Sequence, residues 1–326
     1  MSRTCAVILA AGKGTRLKTE WPKVLHEISG RPMLAFVIDA CRAAGIDDCI
    51  VVVGHGRQQV VDSFANDKRL KWVDQTEQKG TGHAVMVCRE AMTGYDEAVI
   101  LCGDGPLIRA ETIRGLVETH RNAKAAATLA TAVLEDATGY GRIHREKGGK
   151  LLGIVEHNDA TPEQRAIREV NPSYYCFNVE KLKWALERIT PNNAKKEYYI
   201  TDVFGLLLAD GQRVDAITSV PPEDIFSINS RRDLTLVNRV MRDRVNNRWL
   251  DSGVTIVDPA TTWIDPRAEI GADTILYPNT HVQGRAQIGS NCRVGPCVVV
   301  ADGAKIADGA RLAASAGAII GSGVTC

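Results

Sequence analysis

The sequence predicts an α/β protein: a doubly wound, mostly parallel sheet domain, followed by a short left-handed parallel β-helix. Three observations predict this class. Strand-like and helix-like segments alternate over residues 5–135, a loop suited to phosphate follows the first strand, and an aliphatic residue recurs every six positions after Gly253. Because 326 residues are many for one core, we expect two domains.

Five apolar runs in the first half indicate strands that are buried on both faces, because they lack a polar side. These predicted strands are 6–10, 49–54, 70–75, 98–103 and 126–134. Amphipathic patterns between them predict helices at 33–44, 58–65, 82–92 and 111–123. In an open sheet built this way, ligands bind at the carboxyl ends of the strands.

The loop after the first predicted strand has the composition of a phosphate site. Gly12 and Gly14 allow the backbone N–H groups to approach an anion, and Arg16 and Lys23 add positive charge. The dinucleotide fingerprint fails here because Leu17 stands where its third glycine belongs, and the P-loop spacing is also absent. An ordinary glycine-rich turn is the alternative reading of the same residues.

Two further loops follow later strands and join the same predicted edge. Asp104 ends a strand between two glycines and is suited to hold a hard divalent cation, although an aspartate before a proline is also a common turn. Gln75 carries an amide that can pair with a pyrimidine edge. Gly80 and Thr81 let a base and ribose lie against a helix start, and a capped helix entry describes the same residues.

The last quarter of the chain has a period of six. Nine aliphatic positions share this phase: Ile264, Ile270, Leu276, Val282, Ile288, Val294, Val300, Ile306 and Leu312. Three six-residue units form one turn of a parallel β-helix, so about three coils are expected, fading over 318–326. A helix predicted at 231–250 connects the two parts, which gives domains 1–229 and 253–326 with a linker at 230–252.

Composition excludes several classes of function. The 40 basic and 39 acidic residues provide no net field for a polyanion, so nucleic acid is not expected as a partner. No apolar run reaches the ~18 residues of a membrane span, and the N-terminal residues do not show a basic segment followed by an apolar signal core. The nine cysteines lack metal-site spacing. They are interpreted as reduced thiols in a cytoplasmic protein.

Seven motifs, in one order between Leu9 and Asp202, carry a family resemblance that covers essentially the whole chain: LAAGKGTR, PKVLH, GTGHA, GD-x-PLI, TGYGRI, VEH and EYYITD. Together they closely resemble the bacterial bifunctional N-acetylglucosamine-1-phosphate uridylyltransferase/glucosamine-1-phosphate acetyltransferase family. The resemblance implies a Rossmann-like nucleotidyltransferase domain. It also implies Mg²⁺-dependent transfer of uridylyl from UTP to N-acetylglucosamine 1-phosphate, which yields UDP-N-acetylglucosamine and pyrophosphate for peptidoglycan.

The resemblance also implies roles for individual residues. Those for uridine are Leu9, Ala10, Gly12, Gln75, Gly80 and Thr81. Arg16 and Lys23 are the implied catalytic residues that neutralise phosphate charge, and Asp104 with Asn229 are the implied Mg²⁺ ligands. The implied sugar pocket consists of Gly141, Glu156, Asn171 and Thr201. No catalytic base is needed, because the second pKa of a sugar phosphate is near ~6. Accordingly, His55, His83 and His157 are predicted to pack or cap.

Two departures from the family pattern affect the assignment of these residue roles. Gly105 follows the metal-binding aspartate where a larger side chain is usual, and Pro172-Ser173 follows Asn171 where Thr-Gly is more common. The β-helix is shorter than in the family, so acetyltransferase activity is expected to be absent and a homotrimer is expected. Two alternatives stay open: a pyrophosphorylase for another triphosphate or sugar phosphate, and a non-catalytic nucleotide-sugar sensor.

Overall fold

The computed structural model describes residues 2–218 and 220–313, and the backbone of 319–320. The chain divides into two compact units. The first comprises Met1–His26 and Pro32–Arg231, and the second comprises Glu27–Arg31 and Arg232–Cys326. The sequence offers no signal that 27–31 belongs with the second unit. The domain boundaries at 229 and 252 stay a prediction.

The first unit is built on one sheet flanked by helices. Its strands are β1 (Thr4–Leu9), β4 (Cys49–Val53), β5 (Leu70–Asp74), β6 (Glu97–Cys102), β7 (Ala127–Val133), β8 (Gly141–Arg145), β9 (Leu151–Val155), β10 (Glu169–Asn178) and β11 (Val214–Thr218). Its helices are α1 (Met33–Ala43), α2 (Arg57–Ser63), α3 (Thr81–Met86), α4 (Ala110–Ala123), α5 (Pro162–Arg165), α6 (Val179–Leu186) and α7 (Asp202–Ala209). A short hairpin, β2 (Glu27–Ile28) and β3 (Arg31–Pro32), precedes α1 in sequence, and its residues up to Arg31 are part of the second unit.

Strand order in the main sheet is β11-β7-β10-β6-β1-β4-β5, and β8 and β9 extend it from β10. The pairs β1–β4, β1–β6, β4–β5 and β7–β11 are parallel, whereas β10 runs antiparallel to β6, β7 and β8. This mixed sheet confirms the predicted α/β, mostly parallel class. The five strands predicted in the first half all form, with ends within two residues of the predicted positions.

Register explains why distant loops share one edge of the sheet. Leu9 at the end of β1 lies opposite Val52 of β4 and Cys102 of β6, and Val53 lies opposite Asp74 of β5. The parallel strands therefore end at one level. The loops that follow them are placed side by side there, as expected for a ligand-binding edge.

Helix α3 differs from its prediction. A helix was expected over 82–92, but α3 ends at Met86 and the chain continues in turns. Bonds from Cys88 N to the Val85 oxygen and from Arg89 N to the Met86 oxygen have i→i−3 spacing, so the helix tightens after its second turn. Cys88 and Met92 are nevertheless buried, which is why the apolar pattern resembles a longer helix.

The core of the first unit lies on both faces of the sheet. Cys5, Ala6, Val7 and Ile8 of β1 are all inaccessible to solvent, as are the residues of β4. An aromatic cluster of Tyr175, Phe177 and Phe204 packs with ring centroids 5.1–5.8 Å apart. Such burial on both faces is typical of parallel sheets and accounts for the continuous apolar runs in the sequence.

The second unit contains α8 (Arg231–Asp251) and a stack of two-residue strands. They are β12 (Thr255–Ile256), β13 (Trp263–Ile264), β14 (Glu269–Ile270), β15 (Ile275–Leu276), β16 (His281–Val282), β17 (Gln287–Ile288), β18 (Arg293–Val294), β19 (Val299–Val300), β20 (Lys305–Ile306), β21 (Arg311–Leu312) and β22 (Ile319–Ile320). They pair in parallel with the strand three places on, as Trp263 with His281. Three ladders result: β12-β15-β18-β21, β13-β16-β19-β22 and β14-β17-β20.

The predicted hexapeptide β-helix is confirmed. Each of the nine in-phase aliphatic residues is the second residue of its strand and is buried, whereas its strand neighbour is partly or fully exposed. The aliphatic column therefore fills the inside of the coil. The predicted fading of the repeat over 318–326 lies mostly outside the described residues. Within the described part of the chain, no helix is both long and apolar enough to span a membrane.

Candidate active site

The loop after β1 forms a tight turn toward the carboxyl edge of the sheet. A 3-10 turn at Thr15–Leu17 begins after Gly14, whose φ is +62°. A Cβ on Gly14 would stand 2.8 Å from the Lys23 Cβ, so a side chain at this position would displace Lys23. The turn therefore brings Arg16 and Lys23 to the same side of the loop.

A cluster of charged and polar side chains lies at this edge. The Lys23 ammonium donates to the Asp104 carboxylate and, at 2.9 Å, to the Asn229 amide oxygen. Arg16 Nη2 donates to that same amide oxygen at 2.9 Å. The structure thus joins the two predicted catalytic residues and the two predicted metal ligands, which come from three separate segments of the chain.

Backbone hydrogen bonds hold these segments together. Ile228 N donates to the Asp104 carbonyl oxygen at 3.0 Å and places Asn229 beside Asp104. Gly103 N donates to the Leu9 oxygen at 2.9 Å, so the Asp104 loop adjoins the end of β1. These hydrogen bonds explain how Asn229, which has no motif of its own, reaches the site.

The donor set at this cluster fits a hard divalent cation. Asp104 Oδ2 and Asn229 Oδ1 both contact the same ammonium nitrogen, so they converge on one point. A carboxylate and an amide oxygen are suitable ligands for Mg²⁺, which takes its other ligands from phosphates and water. The described residues contain no cluster of three or more His, Cys, Asp or Glu side chains that could hold a metal by themselves. A cation here therefore depends on ligand phosphates.

A cavity of about 240 Å³ lies beside the cluster. Its lining contains every residue assigned to uridine, together with two of the four residues of the charged cluster: Leu9, Ala10, Gly12, Gln75, Gly80, Thr81, Lys23 and Asp104. It is also lined by residues without a predicted role: Ala11, Val24, Gln78, Ala84, Cys102 and Glu197. The lining therefore combines apolar and amide side chains with the charged groups of Lys23, Asp104 and Glu197.

Gly80 occupies a position that only glycine fits. Its φ is +106°, and a Cβ there would stand 2.5 Å from the Tyr198 carbonyl oxygen. Tyr198 N donates to the Lys79 oxygen and Gly82 N donates to the Tyr198 oxygen, both at 2.8 Å. These two backbone hydrogen bonds hold the EYYITD segment against the GTGHA segment and place Glu197 in the cavity wall.

The predicted sugar-side residues form two pairs. Thr201 Oγ1 donates to Glu156 Oε1 at 3.0 Å, and Gly141 of β8 lies opposite Asn171 of β10. Burial raises the pKa of the Glu156 carboxyl, and the hydrogen bond from Thr201 acts in the opposite direction. Burial likewise raises the pKa of Tyr175, with the Glu156 charge among the contributing causes. The Tyr175 hydroxyl lies beside Asn171, whose amide contacts it.

The Pro172-Ser173 departure has a visible consequence for Asn171. Ser173 has a φ of +65°, a region that favours glycine, where the family more often has Thr-Gly. Asn171 Nδ2 donates to the Tyr175 hydroxyl at 2.7 Å, and Asn171 Oδ1 accepts from Ser173 N at 3.0 Å. The Asn171 amide is thus held by contacts within its own turn.

The Gly105 departure has a smaller effect. A Cβ at Gly105 would meet the Tyr174 hydroxyl at 3.5 Å, an ordinary contact, so the position does not require glycine. Gly105 N donates to the Cys102 oxygen at 3.3 Å, which keeps the loop closed. Burial, assisted by the Asp104 charge, raises the pKa of the Cys102 thiol to about 12, so this cavity-lining thiol is protonated.

Sequence reasoning missed three side chains at this site. Gln78 and Glu197 line the cavity, and His83 contacts Gln75. Glu197 stands in the EYYITD motif and could have been found there. His83 stands in the GTGHA motif and was predicted only to pack or cap, whereas Gln78 carries no signal beyond its place beside Gly80.

Comparisons with known proteins agree with both parts of the chain. Residues 6–159 match the family model of the MobA-like NTP transferase domain, and residues 267–302 match that of the bacterial transferase hexapeptide (six repeats). The solved structure of a UDP-glucose pyrophosphorylase complexed with UDP-glucose has a TM-score of 0.61 at 17% identity and covers 75% of this chain and 100% of that chain. At this identity the likeness concerns the fold alone.

Two relatives that align over most of this chain are more similar to it in sequence. The bifunctional protein GlmU of Heliobacterium modesticaldum is 44% identical over 303 residues, and GlmU of Desulfitobacterium hafniense is 44% identical over 302 residues. Each alignment covers 93% of this chain and 66% of the relative, so the chain spans just under two thirds of their length. The resemblance inferred from the motifs is confirmed: over 93% of its length this chain is similar to bifunctional GlmU proteins.

Proposed function

We propose that this chain is a Mg²⁺-dependent UDP-N-acetylglucosamine pyrophosphorylase, which transfers uridylyl from UTP to N-acetylglucosamine 1-phosphate. One observation carries the proposal: Arg16, Lys23, Asp104 and Asn229 converge beside a cavity that has Gln75 in its wall. Phosphate charge and a pyrimidine base are accommodated next to each other. The relatives that align over most of this chain, which are named bifunctional GlmU, support the same activity.

The proposed chemistry depends on alignment and charge. The attacking oxygen belongs to a phosphate monoester with a second pKa near ~6, so it is largely deprotonated at neutral pH. Lys23 and Arg16 stabilise the charge that develops on the departing pyrophosphate. Mg²⁺, held by Asp104 and Asn229, would supply further neutralisation of the triphosphate. The half-buried Glu156 and the buried Thr201, which are hydrogen-bonded to each other, offer hydrogen-bonding groups for the sugar.

We also propose that the chain assembles as a homotrimer through its β-helix and acts in the cytoplasm. About three coils bury little apolar surface, so packing against symmetry mates would stabilise them. A trimeric mass from light scattering at micromolar concentration is the expected result. A monomeric mass would contradict the proposal. The expected absence of acetyltransferase activity stays a prediction.

The activity is tested with a panel of substrates. Pyrophosphate release is measured for UTP, CTP, dTTP and ATP, each with N-acetylglucosamine 1-phosphate or glucose 1-phosphate, with and without Mg²⁺. The proposal expects the highest kcat/KM for UTP with N-acetylglucosamine 1-phosphate, and no release without metal. Preference for another pair would indicate a different pyrophosphorylase. Binding without any release would indicate a nucleotide-sugar sensor.

A further inference from the structure

His83 of the GTGHA motif has no role in the proposed chemistry, yet it contacts the residue assigned to the base. Its ring Nδ1 lies 3.0 Å from Nε2 of Gln75. His83 is the third residue of α3 and is half-buried, and Gln75 is 3% exposed. The contact is therefore largely shielded from solvent. Gln75 lies in the cavity wall, and His83 is not part of the cavity lining.

The neighbouring backbone fixes which end of the Gln75 amide faces His83. Gln75 Nε2 lies 3.2 Å from the carbonyl oxygen of Gly80. A carbonyl oxygen only accepts hydrogen bonds, so the amide group at this place must be the NH₂ end. The same NH₂ contacts His83, which makes Nδ1 an acceptor and places the ring hydrogen on Nε2. Both hydrogens of the Gln75 amide are thus engaged by acceptors within the protein.

The other end of this amide is left for a ligand. Gln75 lines the cavity of about 240 Å³, and among the described residues no donor lies within hydrogen-bond distance of its Oε1. A buried amide oxygen is stabilised when it gains a donor. The cavity therefore presents an acceptor with a fixed direction.

A fixed acceptor distinguishes uracil from cytosine. Uracil carries a hydrogen on N3, which can donate to an amide oxygen, whereas N3 of cytosine carries a lone pair. A glutamine that was free to turn its amide by about 180° could present NH₂ to cytosine and oxygen to uracil. A glutamine whose NH₂ is held by two acceptors loses both bonds when it turns. Cytosine is then rejected by the cost of breaking these contacts.

We propose that His83 is a positioning residue for pyrimidine selection, which holds the Gln75 amide so that its oxygen faces the base and uracil is preferred over cytosine. This rests on the proposed use of UTP. His83 acts through Gln75 and does not touch the reacting atoms. The Gly80 carbonyl oxygen is the second acceptor that orients the Gln75 amide, but its position depends on a backbone conformation that only glycine adopts. His83 is therefore the acceptor that a side-chain substitution can remove.

The test compares two variants that differ in one acceptor. His83→Leu introduces an apolar side chain of similar size and removes the acceptor. His83→Asn instead keeps an acceptor, its amide oxygen, near the position of Nδ1. Kd values for UTP and CTP are measured by titration calorimetry, and kcat and KM by pyrophosphate release. His144→Leu is the matched control, since His144 is a half-buried histidine of β8 outside the cavity lining. Thermal melting establishes that each variant is folded.

For His83→Leu we expect the preference for UTP over CTP to fall about tenfold, the factor that corresponds to one hydrogen bond of about 1.4 kcal/mol. The loss appears in KM for UTP, while kcat at saturation stays within about twofold, because the reacting groups are untouched. His83→Asn restores most of the preference, and His144→Leu leaves it unchanged.

Three outcomes overturn the inference. A folded His83→Leu variant that retains the wild-type preference shows that His83 does not orient the amide. Equal weakening of UTP and CTP binding shows that His83 only supports the fold of the loop. Failure of His83→Asn to restore the preference shows that the contact is not a hydrogen bond. If wild-type protein itself does not distinguish UTP from CTP, the proposed function fails first, so the two failures are separate.

Discussion

Substitution of Lys23 by methionine tests the charged cluster at its centre. The ammonium donates to the Asp104 carboxylate and to the Asn229 amide oxygen, and the side chains of Lys23 and Asp104 are 11% and 23% exposed. Among the described residues, no second side chain donates to the Asp104 carboxylate. Lys23→Met therefore leaves a poorly solvated carboxylate without its counter-charge.

The size of the effect follows from this burial. Removing one partner of a fully buried pair costs ~3–5 kcal/mol of unfolding free energy. Because 23% of the Asp104 side chain reaches solvent, we expect a smaller loss of about 1–3 kcal/mol. The lost phosphate interaction should lower kcat/KM by about 10²- to 10³-fold. Without the ammonium, the Asp104 carboxylate loses its counter-charge and the Asn229 amide oxygen loses one of its donors, so Mn²⁺ binding to the substrate-free protein should become tighter.

Three measurements check the Lys23→Met prediction: urea unfolding, pyrophosphate release, and Mn²⁺ titration followed by electron paramagnetic resonance. Lys183→Met is the matched control. Lys183 pairs with Glu180 at 3.1 Å, but the Glu180 side chain is 80% exposed, so less than ~0.5 kcal/mol is expected. A loss of kcat/KM below about threefold, or about 0.65 kcal/mol, together with unchanged Mn²⁺ affinity, would refute the reasoning.

The remaining predictions concern the metal ligands, a buried carboxyl and the β-helix. Asp104→Ala should remove most turnover and Asn229→Ala a substantial part with the fold intact, and a near-normal rate for Asp104→Ala at low millimolar Mg²⁺ contradicts the metal assignment. Because burial raises the pKa of Glu156, this carboxyl supports the fold when it is protonated at acid pH, and that support is lost as the pH rises through its raised pKa. Glu156→Gln should therefore melt at a higher temperature than wild type near neutral pH and at a similar temperature in acid, and an equal difference at both pH values shows that the charge is not responsible. Leu276→Ala, which truncates a fully buried side chain of β15, should cost about 2–5 kcal/mol of unfolding free energy, whereas Val257→Ala at a 53% exposed position should cost little, and equal costs would contradict the packing of the coil.

The sequence predicted the fold where a repeating pattern reflects burial. The apolar runs of β1 and β4 and the six-residue aliphatic column of the β-helix have periods set by the geometry of strands and coils, so the elements could be located directly. The end of α3 at Met86 could not be predicted, because Cys88 and Met92 continue the apolar spacing while the backbone tightens into turns. The spacing of apolar residues indicates which side chains are buried, but it does not indicate which backbone hydrogen bonds form.

The site shows the same limit. Gly12, Gly14 and Asp104 could be assigned from chemistry near strand ends, since parallel strands finish at one edge. Asn229 could not be assigned without a family pattern, because it reaches Asp104 through the bond from Ile228 N to the Asp104 oxygen. The contact of His83 with Gln75 is likewise tertiary, and no local pattern encodes the direction of an amide.

The fate of the phosphates of UTP tests the central claim most directly. The protein is incubated with N-acetylglucosamine 1-phosphate, Mg²⁺ and UTP labelled with ³²P at either the α or the γ position, and the products are separated by chromatography. Uridylyl transfer predicts that the α label appears in UDP-N-acetylglucosamine and the γ label in pyrophosphate, both only when the sugar phosphate is present. A γ label recovered as inorganic phosphate, or an α label that never enters a nucleotide sugar, would contradict the account.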